Sequence, residues 1–547
     1  MKRNFFLFLL IFLSLIPLLD LLQPGLPLTH DGVDHVARIA NFYLSLSEGN
    51  LVPRWAANLN WGYGHPILMF LYPLPSYTAS VFHSIGFSLV DSTKLVFAIA
   101  YVLSGITMYV WLQAFLSKKA AFIGALAYMF APYRFVDLYV RGAIGEHVAF
   151  IFPPLIFYAA YLMSGTKKSY AIIIGSLATA GLLLSHNAIS IMFLPLTVLY
   201  SFYLFWKSGR KRNYFFGIVA FFIIGLSLAA FFWMPAFFEG KYTLRDIVTG
   251  DEYRSRFESW GRFFYSSWNY GGTNQFSVQA GVVQLLGIAL TPLAIFSYRR
   301  QKKGLWIISA AAVVFLFVTL FLMTGSALPV WEQITILQKF QFPWRLLSVI
   351  VFLSALLLAL FVNSLSEKKQ RIAAIVLAVS LLLVNEGYWH AKGFSKFSQE
   401  YYQSVYNGTT DTGESAPIWS VRFMEKRAKA QALVVEGDAQ IIPLSKNTTG
   451  REYKIVANEP SRILENTLYF PGWNVMVNGK AVPLEFQDPR YRGLITYFVP
   501  KGESSVVIRF SETKLRFVSN IITLVGIVIL ASYALYLFSQ KLWRRSR

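Results

Sequence analysis

Cysteine is absent from the 547 residues, which excludes disulfides and any Cys-based metal or redox site. Charge is scarce too. Asp, Glu, Lys and Arg make up 14% of the chain, where a soluble domain carries about 25%, and this excludes an ordinary soluble protein. Several motifs are also missing: a P-loop, a Rossmann glycine pattern, His-Glu-x-x-His and Gly-x-Ser-x-Gly. ATP-driven transport and serine hydrolysis therefore have nothing to rest on. No repeat of fixed period is present, so solenoids and propellers lapse. Acids are the rarer charge, 28 against 50 bases, for a formal net charge of +22.

What fills the chain instead is apolar, with 55% hydrophobic and 17% aromatic residues. That composition describes a polytopic membrane protein. The basic residues collect in seven short polar breaks: Lys2-Arg3, Lys118-Lys119, Lys167-Lys168, Lys207 to Arg212, Arg299 to Lys303, Lys368 to Arg371, and Lys541 to Arg547. This is the positive-inside pattern, and it puts all seven breaks and both termini on the cytoplasmic side. The charge is explained by topology, with a secondary attraction to anionic lipid, and no nucleic-acid partner is needed.

Fixing those breaks inside requires an even number of crossings between neighbours. About twelve spans satisfy this: 4–22 (an uncleaved anchor), 92–115, 119–133, 148–164, 169–186, 188–206, 213–233, 278–297, 304–323, 346–364, 371–389 and 517–539. Residues 66–88, broken by Pro66, Pro73 and Pro75, are left as a juxtamembrane or re-entrant piece. The spans at 119–133 and 169–186 are short, and short helices often border a cavity. Outer segments fall at 23–91, 134–147, 234–277, 324–345 and 390–515.

Three units follow: a membrane domain over 1–390 with a large first outer loop at 23–91, an extracytoplasmic domain over 391–515, and a final span with a basic tail over 516–547. From Ala432 the pattern alternates, with strands expected at 433–435, 441–442, 453–456, 468–470, 475–477, 494–498 and 506–510. Asn478-Gly479 suits a tight type I′ hairpin. A small sandwich-like domain is the expectation. Trp473 in it is read as core before sugar platform.

The chemistry is concentrated in Thr29-His30-Asp31-Gly32-Val33-Asp34-His35-Val36-Ala37-Arg38. Two carboxylates, two imidazoles and a guanidinium in ten residues can supply a base, a metal ligand or a phosphate partner. The plainer alternative is that Asp31 or Asp34 caps a helix over 36–46. The second outer segment carries Asp137, Arg141, Glu146 and His147. Glu146 and His147 open a membrane helix, where charge is expensive unless it is paired or faces a wet cavity. A structural pair, Glu146–Arg141 or Asp137–Arg134, is the competing account. Lys339 and Arg345 stand at an outer helix mouth, against the inside bias. They are candidates for holding a phosphate at the bilayer surface, with interfacial snorkelling beside the Trp344 anchor as the alternative.

These motifs resemble the GT-C superfamily of membrane glycosyltransferases, which use polyprenyl-phosphate-linked sugars. More narrowly, His30-Asp31-Gly32-x-Asp34-His35, Arg141-Gly142-x-x-Gly145-Glu146 and Phe342-Pro343-Trp344-Arg345 resemble a bacterial and archaeal family. It is labelled membrane protein, 6-pyruvoyl-tetrahydropterin synthase-related. No pterin site is supported by this sequence. The tail from Tyr469 to Lys480, Tyr-Phe-Pro-Gly-Trp-x-Val-x-Val-Asn-Gly-Lys, is similar to YfhO-like membrane proteins.

The resemblance implies a sugar transfer at the outer face of a prokaryotic plasma membrane. The donor would be a polyprenyl-phosphate-linked sugar, and the acceptor an envelope glycan, lipid or protein. Asp31 or Asp34 would be catalytic, supported by Asp137, Glu146, His30, His35 and His147. Arg345, Lys339 and Arg141 would hold the lipid phosphate. Asp31, Asp34 and Glu146 would be the ligands of a divalent metal ion, if one is used. This chain has Asp-Gly-Val-Asp rather than Asp-x-Asp, which leaves metal dependence open. The rival readings are a non-catalytic envelope-assembly or lipid-handling protein on the same scaffold, and then a secondary transporter. Against transport stand the lack of matched repeat halves and the few charges at mid-span depth.

Overall fold

The computed structural model describes residues 4–165, 168–271, 276–301 and 304–543. Lys2, Arg3, Lys167, Lys302, Lys303, Arg544, Arg545 and Arg547 of the basic breaks lie outside the described residues. Among the described residues, ten helices are long and apolar enough to cross a bilayer. They coincide with ten of the twelve expected spans, from Phe5–Leu22 to Lys514–Leu542. The other two expected spans are the short ones. The first is the 12-residue helix Lys118–Met129, and the second is the apolar helix Ser169–Ser185.

At 1.5 Å per residue a 12-residue helix covers about 18 Å, well short of the ~30 Å hydrocarbon layer. Lys118–Met129 sits at the centre of the bundle, against Leu347–Ser364 on one side and Leu89–Gln113 on another. Its sequence allows this. A Cβ on Gly124 would come 2.7 Å from the Ala359 Cβ, so two backbones meet where neither carries bulk. Small residues at the crossing serve the same end elsewhere in membranes, where close packing replaces the hydrophobic drive. The 66–88 segment holds a 3₁₀ turn, Pro66–Met69, and an 11-residue helix, Leu74–Ser84, again too short to cross.

One expectation needs correction. Residues 134–147 do not form an exposed outer loop. The chain from Pro132 runs through a short helix, a π-helical turn at Val136–Arg141 and the helix Ile144–Ala149, and every one of these residues is buried. The first outer segment covers them. Ionisable side chains drew the loop assignment, but here Arg141 pairs with Asp137 and Glu146 inside the protein, and Arg134 and His147 turn to Ser104 and the Phe97 carbonyl.

Strands β1 (Leu26–Pro27) and β2 (Phe394–Ser395) pair antiparallel and tie the start of the first outer segment to the start of the external one. The external domain then builds a sandwich from β3 (Ala432–Glu436), β4 (Ala439–Lys446), β5 (Gly450–Ala457), β6 (Ser461–Leu468), β7 (Trp473–Val477), β8 (Lys480–Val482), β9 (Leu494–Val499) and β10 (Gly502–Phe510). One sheet has the order β4-β5-β10-β7-β8 and the other β3-β6-β9. Burial alternates along β5 and β7, as expected for strands with one face on a core. The β7–β8 hairpin turns on Asn478 (φ 52°) and Gly479 (φ 76°), the two positive φ values a type I′ turn requires.

The expected strand at 468–470 lies seven residues earlier, at β6. All eight residues of β6 are buried, charged ones included. Arg462 pairs with Asp488 and Glu485 at 2.8 Å each, and Glu465 with Arg451 at 3.0 Å. Buried ion pairs on a central strand erase the two-residue alternation that would have marked it. Trp473 is 3% exposed and meets Trp55 edge to face at 5.4 Å. It therefore locks the sandwich onto the first outer segment and is not free for a sugar.

Candidate active site

Two backbone hydrogen bonds bring the two acidic motifs together. His30 N–H donates to Val140 O (3.0 Å) and Asp31 N–H to Arg141 O (2.9 Å). Gly142 makes the approach feasible. It lies at φ +68°, and a Cβ there would collide with Thr29 Oγ1. Gly142→Ala is expected to destabilise the protein by about 1–2 kcal/mol from the left-handed backbone alone, with the Thr29 clash in addition. A thermal unfolding series in detergent would measure it, and a stability equal to wild type would show that the two motifs separate freely.

Inside this contact Glu146 is a hub. Its Oε1 accepts from Arg141 Nη2 and Arg345 Nε, both at 2.7 Å, and its Oε2 from Tyr133 Oη at 2.8 Å. Arg141 also donates to Asp137 at 2.7 Å and rests on the Trp344 ring at 4.6 Å. The Glu146–Arg141 pair is thus formed, whereas Asp137 pairs with Arg141 and not with Arg134. Arg345 spends a second nitrogen on Phe340 O (2.9 Å). Among the described residues its Nη2 makes no hydrogen bond, and the residue lines a cavity.

The two first-loop carboxylates have different surroundings. The helix there spans Gly32–Ser47, starting four residues before the expected Val36, with Asp31 at the cap position but making no side-chain cap bond. The Asp31 carboxylate opens into the cavity and has no hydrogen-bond partner among the described residues. The residue is exposed to solvent. The surrounding protein raises its pKa above the ordinary aspartate value, against the opposing pull of Arg141, Arg38 and His30. Asp34 is outside the cavity lining and accepts from Tyr406 Oη at 2.7 Å.

The histidines divide the same way. His30 lines the cavity, with Nε2 3.0 Å from Tyr270 O. His35 also lines it, and its Nδ1 accepts from Arg38 Nη1 at 2.9 Å. Burial, followed by the Arg38 charge, pushes the His35 pKa well below the ordinary imidazole value, so it stays neutral. His147 is fully buried away from the cavity, against Phe97 and Tyr101.

A strap from the external domain, roughly residues 405–417, closes over these groups. Arg38 donates to Thr410 Oγ1 (3.2 Å) and to Thr410 O. Asp411 faces the buried His65 at 3.5 Å and accepts from the Gly413 and Ser415 backbone. Burial alone would raise the Asp411 pKa, but His65 and these hydrogen bonds outweigh it and hold the pKa below the usual range. Asp411 and Glu414 thereby join the cavity wall. Sequence reasoning missed the strap, for which Asp411-Thr412-Gly413 is an ordinary turn signal. It also missed Arg245 and Arg256, while Arg38 stood within the motif first singled out.

The cavity has a volume of about 1030 Å³. Its lining combines polar groups, Asp31, Arg141, Arg345 and the strap, with the apolar Leu71, Leu183, Ile191, Trp233 and Phe237. Phe237 is 73% exposed. Lys339 stands on the wall and pairs with Asp246 at 2.6 Å. The three carboxylates considered as metal ligands do not converge. Glu146 is taken by two arginines and a tyrosine, and Asp34 by Tyr406. Among the described residues no group of three or more His, Asp or Glu side chains is placed to hold a metal ion.

Comparison with known proteins adds the following. An uncharacterized protein of Lactococcus lactis subsp. cremoris (strain MG1363) is 25% identical over 263 residues, which is 46% of this chain and 43% of that protein. The chain thus spans under half the length of the curated relative it matches. Distant structural likeness is found to the mycobacterial arabinofuranosyltransferase AftD (TM-score 0.48, 16% identity, 73% of this chain and 28% of that one). It is also found to the apo Archaeoglobus fulgidus oligosaccharyltransferase (TM-score 0.43, 14% identity, 76% of this chain and 61% of that one). Residues 68–390, more than half of the chain and including the Arg141–Glu146 and Arg345 motifs, match the family described as 6-pyruvoyl-tetrahydropterin synthase related domain, membrane protein, and the chain belongs to that family.

Proposed function

We propose that this protein is a membrane glycosyltransferase. It moves a sugar from a polyprenyl-phosphate donor to a cell-envelope acceptor at the outer face of a prokaryotic plasma membrane. The observation that carries this reading is one cavity with three properties: an unpartnered carboxylate, Asp31; an arginine with a spare N–H, Arg345; and apolar lining residues that include the exposed Phe237. A lipid-linked donor explains that combination, because its phosphate needs a cation at the bilayer surface and its chain needs an apolar wall. The site carries no nucleotide-binding motif, and outside the cytoplasm an activated sugar has to arrive on a lipid.

In this mechanism Asp31 accepts the proton of the acceptor hydroxyl as its oxygen bonds to the anomeric carbon. The bond from that carbon to the phosphate oxygen breaks, and the lipid phosphate leaves with the electron pair. Arg345 stabilises the charge growing on the leaving phosphate, in surroundings that screen it less than water does. Asp34 positions Tyr406 and with it the strap. Glu146 holds Arg141 and Arg345 at fixed angles, and Asp137 and Tyr133 support it.

Purified protein in nanodiscs, supplied with polyprenyl-phosphate-linked sugars and an envelope lipid extract, should yield free polyprenyl phosphate and a glycosylated acceptor by mass spectrometry. Flux of donor without a covalent product would overturn the reading and favour transport. Arg345→Ala is expected to raise the apparent donor KM by about ten- to a hundredfold, the worth of a charge-assisted hydrogen bond, with a smaller fall in kcat. A loss confined to kcat would place Arg345 away from the donor.

A further inference from the structure

The cavity holds a second set of cations that the transfer just described leaves unused. Lys241, Arg245 and Arg256 line it, and among the described residues none of their side chains makes a hydrogen bond or ion pair. Each rests instead on a ring: Lys241 on Tyr242 at 5.1 Å, Arg245 on Phe70 at 5.3 Å and Arg256 on Phe342 at 5.6 Å. The other cations of the cavity are committed. Arg141 and Arg345 are held by Glu146, Arg38 by His35 and Thr410, and Lys339 by Asp246. Of the nearby carboxylates, Glu258 pairs with Arg262, Asp411 faces His65, and Glu414 accepts from Thr412 at 2.6 Å and feels the Arg245 charge without an ion pair to it, while Asp31 has no hydrogen-bond partner among the described residues.

Three unpaired cations around one cavity repel one another, and that cost is recovered when a multiply charged anion enters. Phe342 links Arg256 to the inner set. The Arg345 guanidinium lies 5.1 Å from the centre of that ring and the Arg256 guanidinium 5.6 Å. The one cavity thus presents the inner arginine, the outer cations and apolar side chains suited to a lipid chain. A sugar-linked monophosphate carries one negative charge, which Arg345 alone satisfies. A sugar-linked diphosphate carries two.

We propose that the ligand of this cavity is a lipid diphosphate. One phosphate sits at Arg345 and the second among Arg245, Arg256 and Lys241, so that the outer cations select diphosphate over monophosphate donors. This rests on the reading of the cavity as a lipid-donor site, and it adds the second phosphate.

The test is equilibrium binding to the full chain in phosphatidylcholine nanodiscs, whose zwitterionic headgroups do not compete for the cations. The probes are a long-chain prenyl diphosphate, the matching prenyl monophosphate and inorganic pyrophosphate. The diphosphate lipid is expected to bind about ten- to a hundredfold tighter than the monophosphate. Arg245→Ala with Arg256→Ala should erase that difference, and the two lysine replacements should restore most of it. Equal affinity for the two lipids in the wild type, or a preference that survives the double variant, would overturn the proposal. Pyrophosphate binding as tightly as the diphosphate lipid would overturn its lipid part. Binding does not require turnover. Transfer from a monophosphate donor without diphosphate preference would therefore sink this inference and leave the glycosyltransferase reading standing.

Discussion

The Asp31→Asn protein is expected to fold and insert normally and to transfer sugar about 10²–10⁴-fold more slowly, the usual worth of a general base. Asparagine keeps the size of the side chain and loses the charge that accepts the proton. Stability should hold or rise slightly, for a reason that can be checked by sign. The Asp31 pKa is raised in the folded protein, mainly by burial, so folding favours its neutral form. Its contribution to stability is present below the ordinary aspartate pKa and is lost as pH rises through the raised value. A neutral amide removes that loss at neutral pH. Activity runs the other way: it needs the carboxylate, and should fall as pH drops through the same raised pKa, earlier than for an aspartate of ordinary pKa. Asp34→Asn should cost less, because its partner is Tyr406 rather than the cavity. Initial rates at matched expression, with a melting curve for each variant, decide it. Full activity in the Asp31→Asn protein would end the catalytic assignment and leave a non-catalytic scaffold.

Glu146→Ala is expected to cost about 3–5 kcal/mol, because it leaves buried guanidiniums without their shared counter-charge. Arg141 retains Asp137, so most of the strain should fall on Arg345, whose other partner is a carbonyl. Adding Arg345→Ala to Glu146→Ala should recover part of the loss, since the two are coupled and removing both leaves fewer orphaned charges. Glu146→Asp should lie between wild type and alanine. Chemical or thermal unfolding of wild type, Glu146→Ala, Arg345→Ala and the double variant in one detergent gives the coupling directly. A Glu146→Ala protein as stable as wild type would show that the arginines find other partners, and that the hub does not set their geometry.

The strap ties the C-terminal segment to the site. Thr410, Asp411 and Glu414 lie beyond residue 390, yet they line the same cavity as Asp31, with the segment held at Thr410 by Arg38 and at Asp411 by His65. The external domain is thus continuous with the site, and the division of the chain near residue 390 does not correspond to a gap in packing. Asn58, Asn60 and Trp61 of the first outer segment exchange backbone hydrogen bonds with Tyr406 and Gly408.

Composition and hydrophobic runs were enough to establish a polytopic helical protein with a C-terminal β-domain, because lipid demands long apolar helices wherever they stand in the chain. Ten spans and the Asn478-Gly479 turn were legible for that reason: each is a property of neighbouring residues. The His30–Arg38 motif was legible as chemistry, because it is a dense run of ionisable groups beside an apolar span. What the sequence left open was the use of each charge. Asp31 and Asp34 differ by three positions and by almost nothing in local pattern. The tertiary structure separated them by bringing Tyr406, 372 residues away, onto Asp34 and leaving Asp31 to the cavity. It also turned an expected outer loop at 134–147 into a buried network, through the two backbone bonds to Val140 and Arg141. Burial and pairing depend on which distant segments meet, and neither periodicity nor composition carries that information.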